Sequence, residues 1–208
     1  MTATLDRIDV LTVAEAAESR RSIRRYEPEP IPRADLEEML RLTGLAPSAF
    51  NVQPWRFVVV ETPALKAKLQ EAANGQAQVG GAPAVLVLYG DMADALATLE
   101  ETVHPNFPPE RRPAVADGFR RGFASRTSEE QERWGLNQTY IALGYLLLVA
   151  RGMGYHTSAM LGFDPAQVKA LLGLPEHAQI AALVAVGRGA EEGFTHHRHP
   201  VERVAEFR

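Results

Sequence analysis

The run from Ser128 to Gly152 constrains the fold most, because it is the longest helical pattern in the chain and is apolar on every side after Tyr140. A helix with no polar stripe has no face to give to water. It is therefore either the buried centre of one chain or part of a core shared with a second copy. Ser128 and Gln131 read as its opening capping box. Shorter helices are expected over Val13 to Arg21, Asp35 to Leu45, Pro63 to Ala73 and Pro165 to Leu172. Strands are expected over Arg56 to Glu61, Ala84 to Tyr89 and Ile180 to Gly187. The segment PSAFNVQPW reads as a loop, Asn74 to Gly81 as a polar turn, and His104 to Pro113 as a connection over the surface. Alternating elements over 208 residues give one α+β or α/β domain, 1–208, without internal repeat or linker.

Composition narrows the functions. A formal net charge of -4, with 22 basic residues dispersed among 26 acidic ones, gives no pull toward nucleic acid. The chain has no cysteine, so disulfides, thiolate nucleophiles and iron–sulfur ligation are excluded, and redox chemistry requires a bound cofactor. The N-terminal stretch carries Asp6 and Asp9 and lacks the unbroken apolar core of a signal peptide. The run Ile141 to Ala150 is about half of the ~20 residues a membrane helix needs. A soluble, cytoplasmic protein with no membrane or nucleic-acid partner is expected. There is no G-x-G-x-x-G, G-x-x-x-x-G-K-[ST] or G-x-S-x-G, and the GRG at 187–189 reads as a strand-ending turn.

Four hydrogen-bonding side chains, Arg20, Arg21, Ser22 and Arg24, crowd into five residues at a helix end. Guanidiniums repel one another, so an anion is expected near them, unless Glu27 and Glu29 pair them into a plain solvated turn. The histidines His196, His197 and His199 form the densest imidazole cluster but have no carboxylate or cysteine at metal spacing, so no metal is expected. His156 and Ser158 lack an elbow motif and an acid partner, and His156 reads as a hydrogen-bonded, half-buried histidine. Phe119 and Phe123 are candidate walls of a flat substrate pocket, in a partly exposed, mobile segment marked by Arg120, Arg121 and Gly122. Trp55 reads as structural.

The stretch RRSIRRYEPEPIPRADLEEMLRLTGLAPSAFNVQPWRFVVVE resembles the N-terminal signature of the FMN-dependent nitroreductase family: an R-x-S-x-R turn, a P-S-x-x-N-x-Q-P-W loop and a strand. The resemblance continues through NGQAQVGGAPAVLVLYGD, LNQTYIALGYLLLVARGMGYHTSAMLGFD and EEGFTHHRHPVE. It implies an α+β nitroreductase-like fold, with a central mixed, mostly antiparallel sheet flanked by helices, in an intertwined homodimer with FMN at the interface. It implies NAD(P)H as reductant and a small electron-poor acceptor, reduced in a ping-pong cycle.

Carried over by position, Arg20, Arg21, Ser22 and Arg24 would contact the FMN phosphate, ribityl chain and pyrimidine edge. Pro47, Ser48, Ala49, Asn51 and Gln138 would reach it from the other subunit. Gln76 and Gln78 match ribityl or pyrimidine contacts, Ala159, Met160, Leu161 and Gly162 a loop against the flavin, and His196 with Arg198 the phosphate contacts of the tail. Leu161 stands where some members carry an acid, which is expected to shift acceptor preference. His196 stands where Lys or Arg is frequent, so phosphate affinity is expected to depend on pH. No side chain is assigned as a catalytic acid or base, since the flavin carries the chemistry. The competing readings are a non-catalytic FMN-storing or regulatory protein of the same fold, and a more specialised reductase or dehydrogenase of that superfamily.

Overall fold

Hydrophobic periodicity organises the chain around one sheet and one long helix. The computed structural model describes residues 10–208, so Asp6 and Asp9 lie outside the described residues. In chain order the elements are α1 (Val13–Ser19), α2 (Arg33–Thr43), β1 (Trp55–Val60), α3 (Pro63–Ala72), α4 (Ala77–Gly81), β2 (Ala84–Gly90), α5 (Met92–Ala97), α6 (Leu99–Thr102), α7 (Arg112–Phe123), α8 (Ser128–Gly152), β3 (His156–Met160), α9 (Pro165–Leu172), β4 (Gln179–Gly187) and α10 (Val201–Val204). Among the described residues no helix is long and apolar enough to cross a membrane.

The four strands pair in the order β1-β2-β4-β3, and every named neighbour is antiparallel. Among the described residues a parallel relation enters only through the isolated bridge between Ser22 and Thr157. The central strands β2 and β4 are buried on both faces, which explains why AVLVLY and IAALVAVG are continuous apolar runs rather than alternating ones. On one face, Leu86, Val184 and Val186 pack on Leu146 and Ala150 of α8 and on Leu36 and Met39 of α2. On the other, Val85, Leu183 and Ala185 pack on Leu69 of α3, Val79 of α4 and Val168 of α9.

Several expectations are corrected. Asn74 to Gly81 is not all turn, since 77–81 forms α4. The cap of α8 is Thr127 with Glu130, one residue before Ser128 and Gln131: Thr127 N–H donates to Glu130 Oε2 at 2.8 Å, and a carboxylate accepts such a bond more strongly than an amide. Arg120, Arg121 and Gly122 are helical, within α7, where the Arg120 guanidinium donates to Leu96 O at 2.9 Å and Asp117 at 2.8 Å. HTSAM is strand β3, leaving Leu161 and Gly162 as the loop. Its β state comes from β4 on one side and the Ser22–Ile23 segment on the other. Finally, α8 is not covered all round: Ala142, Leu146 and Ala150 are buried, while Tyr140, Ile141 and Tyr145 are exposed in the single chain.

The register fixes two corners. Trp55 pairs with Gly90 and Gly90 with Gln179 at one end, while Ala84 pairs with Val186 and Val186 with Thr157 at the other. The loop before β1 and the segment beside Thr157 are therefore diagonal, four strand spacings or about 19 Å across the sheet and about 20 Å along it.

Candidate active site

At the β3 corner, α1 ends at Arg20, whose backbone turns extended, and the chain then runs along the edge of β3. Ile23, fully buried, donates its N–H to Thr157 O at 3.1 Å, and Glu27 N–H donates to Arg188 O at 2.9 Å. This clamps residues 20–27 to the sheet and leaves Ser22 and Arg24 exposed on one side of the extended segment.

The tail returns to the same place. His196 Nε2 lies 2.6 Å from Arg20 O and 3.1 Å from the Arg21 guanidinium. Burial, then the like charges of Arg198 and Arg21, pull the Arg20 guanidinium below the ordinary arginine value. Among the described residues no carboxylate pairs with Arg20, Arg21 or Arg198. Arg21 spends its Nη1 on the carbonyls of Glu18 and Arg20. The nearby acid, Glu191, is committed elsewhere: Oε1 accepts from Arg24 N–H at 2.7 Å and Oε2 pairs with Arg25 at 2.9 Å. Those N–H bonds, foremost that of Arg24, hold the Glu191 carboxyl below its usual range. The anticipated pairing with Glu27 and Glu29 is absent from the cluster; Glu29 lies instead 3.9 Å from Arg188.

Along the same edge, β3 runs from His156 to Met160 and delivers the exposed Leu161 and Gly162. Gly162 O accepts from Asn74 at 3.0 Å and from Gln76 at 2.8 Å, and Gln78 donates to Gln76 Oε1 at 3.3 Å. Gln76, Gln78 and the 159–162 segment are thus one hydrogen-bonded unit.

At the β1 corner, Ala49 N–H donates to Gln138 Oε1 at 3.0 Å, Ser48 Oγ accepts from Gln53 N–H at 3.0 Å, and Asn51 Nδ2 donates to Thr102 O at 2.8 Å. Phe50, Asn51 and Gln53 have φ of 56°, 55° and 46°. Each costs an L residue on the order of 1 kcal/mol, which these bonds hold in place. The exposed Phe50 ring lies 4.9 Å from Phe119, and the buried Phe123 ring lies 4.8 Å from Trp134, around a cavity of about 210 Å³.

The predicted residues therefore assemble into two groups at diagonal corners, not one. Arg20, Arg21, His196 and Arg198 meet, with Gln76, Gln78 and Gly162 further along the β3 edge. Pro47 to Asn51, Gln138, Phe119 and Phe123 meet at the other corner.

The family model described as the nitroreductase family matches residues 17–188. The chain belongs to the nitroreductase family. A Thermus thermophilus protein named NADH dehydrogenase is 52% identical over 208 residues, covering 100% of both chains. YdgI of Bacillus subtilis, named an NAD(P)H nitroreductase, is 32% identical and covers 93% of this chain and 96% of its own. A nitroreductase from Exiguobacterium sibiricum solved in complex with FMN superposes with a TM-score of 0.86 at 27% identity, covering 95% and 98% of the two chains.

Within this nitroreductase-family chain, the rival readings find ordinary roles. His156 Nδ1 accepts from Gly189 N–H at 3.1 Å, and burial, then Arg151, lowers its pKa. Trp55 is buried at the start of β1. Asp91, Glu132 and His177 bring ligand atoms within 4.8 Å of one another, a group that sequence reasoning did not find. Its carboxylates serve α5 instead: Glu132 accepts from the N–H groups of Met92 and Ala93 at 3.0 Å each. Asp91 accepts from Asp94 N–H at 2.9 Å and contacts His177 at 3.0 Å. The missed members of the β3 corner are Glu191 and Asn74. Asn74-Gly75, a turn pair with positive φ after a helix, was the signal for the second.

Proposed function

We propose that two copies of this chain hold two FMN molecules between them and use NADH or NADPH to reduce nitroaromatics, quinones or similar electron-poor small molecules in a ping-pong cycle. Membership of the family makes the chain an NAD(P)H-dependent flavin oxidoreductase. The observation that carries the dimeric reading is the diagonal separation of the two residue groups, because one cofactor cannot touch both corners of a single sheet. A second copy related by a twofold axis can bring its β1 corner to this chain's β3 corner. The exposed Tyr140, Ile141 and Tyr145 on α8 continue into an apolar hollow of about 440 Å³ lined by Val13, Leu42 and Leu148, a surface suited to burial against that copy.

The residues fit FMN in their chemistry. Among the described residues, Arg20, Arg21 and Arg198 form a cation cluster with no acid of its own, as a phosphate dianion requires, and His196 adds a donor. Ser22 and Arg24, exposed on the same extended segment, would hold the ribityl chain and pyrimidine edge, with Gln76 and Gln78. Ala159, Met160, Leu161 and Gly162 would lie against the ring. Pro47, Ser48, Ala49, Asn51 and Gln138 would come from the second copy, and Phe119 and Phe123 would wall the acceptor pocket. Bound FMN would supply hydride acceptance from the nicotinamide and donation to the acceptor. The part of this chain is to bind, to orient, and through Arg21 and Arg24 to offset negative charge at the pyrimidine edge. The cytoplasm, which supplies both nicotinamides, is the compartment this reading requires.

The deciding experiment combines an absorption spectrum, a flavin assay on denatured supernatant and light scattering. About one FMN per chain in a dimer is expected, with bound flavin bleached by NADH or NADPH in stopped flow. A colourless protein indifferent to added FMN would end the proposal, and a yellow one that nicotinamides do not bleach would be a storage or regulatory protein.

A further inference from the structure

Arg126 stands on the rim of the aromatic cavity. Its guanidinium carbon lies 4.9 Å from the centre of the Phe123 ring. The cavity below is walled by Phe50, Phe119, Phe123 and Trp134, with Gly118 and Gly122 also lining it, and its volume of about 210 Å³ suits a single substituted ring. A second hollow of about 270 Å³ adjoins it through the shared Arg126 and Trp134, and adds Glu130, Arg133 and Asn137.

Charge in this place is unbalanced. Among the described residues neither Arg126 nor Arg133 forms an ion pair, whereas Arg120 on α7 is paired with Asp117. Glu130 is the acid lining the second hollow. Its carboxylate is already engaged by the Thr127 N–H at 2.8 Å and hydroxyl at 3.2 Å. Those bonds to Thr127 are the main reason its pKa lies below the usual range, with Arg133 and Arg126 contributing least. One carboxylate against two guanidiniums leaves a net positive charge, and no acid lines the aromatic cavity itself.

Aromatic walls supply contact area but discriminate weakly between flat rings, whereas a cation at the rim discriminates by charge. We infer that this corner selects acceptors in which an aromatic ring carries an anionic substituent, a carboxylate or sulfonate. The ring sits among Phe50, Phe119 and Trp134, and the anion sits on Arg126 with Arg133 behind it. The inference rests on the proposed function, which sets the flavin against the loop that carries Phe50.

The test is equilibrium binding of 4-nitrobenzoate and its neutral near-isostere 4-nitrobenzamide to the FMN-loaded protein by calorimetry without reductant. In the native protein 4-nitrobenzoate is expected to bind about tenfold tighter, the value of one charge-assisted contact. That preference should shrink when salt rises from about 20 to about 300 mM, as an exposed pair must. Arg126→Gln should erase the preference while moving 4-nitrobenzamide by less than about twofold, and Arg126→Lys should restore part of it, because a point charge keeps the attraction but loses the fork. Equal binding of the two ligands by the native protein, or equal loss of both in Arg126→Gln, overturns the inference. A protein that holds FMN and reduces 4-nitrobenzamide without any preference sinks this inference alone, whereas a protein that binds no FMN sinks the proposed function with it.

Discussion

At the β3 corner, Arg20, Arg21 and Arg198 have no acid partner among the described residues and sit on a backbone held by ordinary sheet bonds, whereas at the β1 corner the buried acids are satisfied, the unpaired Arg126 and Arg133 lie on an exposed rim, and the loop backbone is strained. Three of the four described non-glycine residues with positive φ, Phe50, Asn51 and Gln53, belong to the β1 corner. There Glu132 is consumed by the α5 N–H groups, and Arg56 is paired with Asp94. The contrast separates two ways of preparing a site. Unpaired cations store electrostatic energy that a ligand releases, and a strained loop stores conformational energy that fixes a shape.

The contrast is broken most directly by removing the stored charge. Arg20→Ala with Arg198→Ala should raise the FMN dissociation constant on the order of a thousandfold, two charge-assisted contacts at about 2 kcal/mol each. The same variant without flavin should melt no lower than the native apoprotein, because removing crowded like charges costs the empty fold nothing. Flavin titration and a melting curve check both halves; a large drop in apoprotein stability would mean that these arginines hold the fold rather than await an anion.

The opposite pattern is expected at the β1 corner. Glu132→Ala leaves the buried N–H of Met92 and the partly buried N–H of Ala93 without an acceptor and should cost about 3 kcal/mol in urea unfolding. FMN affinity should stay within about twofold, since Glu132 bonds the N–H groups of α5 and none of the residues assigned to the flavin. If Glu132→Ala weakened FMN as strongly as the arginine variant does, the two corners would not be separable.

How much of this was legible in the sequence depends on how far away each partner sits. The elements α2, α3, α8, α9, β1, β2 and β4 were readable to within a residue or two at most ends, because their burial imposes a period that the sequence itself repeats. Strand β3 was not, since HTSAM has no strong pattern and takes its state from β4 and the Ser22–Ile23 segment. Helices α5, α6 and α7 went unassigned, because prolines at 105, 108, 109 and 113 obscured a chain whose apolar residues face a small local cluster of Met92, Leu99 and Phe123. Within the site, Arg20 and Arg21 stood out by crowding. Glu191 did not, because its partners, the N–H groups of Arg24 and Arg25 and the Arg25 guanidinium, lie more than 160 residues upstream.

The strain side of the contrast is sharpened by a smaller effect. Gln53→Gly keeps the backbone bond to Ser48 Oγ and lets φ of 46° be adopted without a Cβ clash. Stability should rise by about 0.5–1 kcal/mol, the αL penalty less the greater entropy of an unfolded glycine. A fall in the denaturation midpoint would show that the loop is not under strain at this residue.

The smallest effect concerns pH, and its sign follows from His156 at the β3 corner. Burial, then the neighbouring Arg151, lowers this pKa from the ordinary 6.5, so the fold prefers the neutral ring whose Nδ1 accepts from Gly189 N–H. The unfolded chain therefore binds the proton first as pH falls, and stability rises with pH wherever that holds. The contribution is complete above the ordinary value, declines as pH drops below it, and levels off once the lowered native pKa has been passed. Melting temperatures between pH 8 and 5 should show this decline in the native protein and less of it in His156→Gln, which keeps a side-chain acceptor but cannot titrate. Arg151 Nε also donates to Ser19 Oγ at 2.8 Å, just before the arginine turn. Protonating His156 in the folded protein pushes against the guanidinium that steadies this turn, so FMN affinity should weaken as pH falls through the lowered native pKa, and more shallowly in the variant. Parallel pH curves for the two proteins, in melting and in flavin titration alike, would show that His156 does not couple the turn to the sheet.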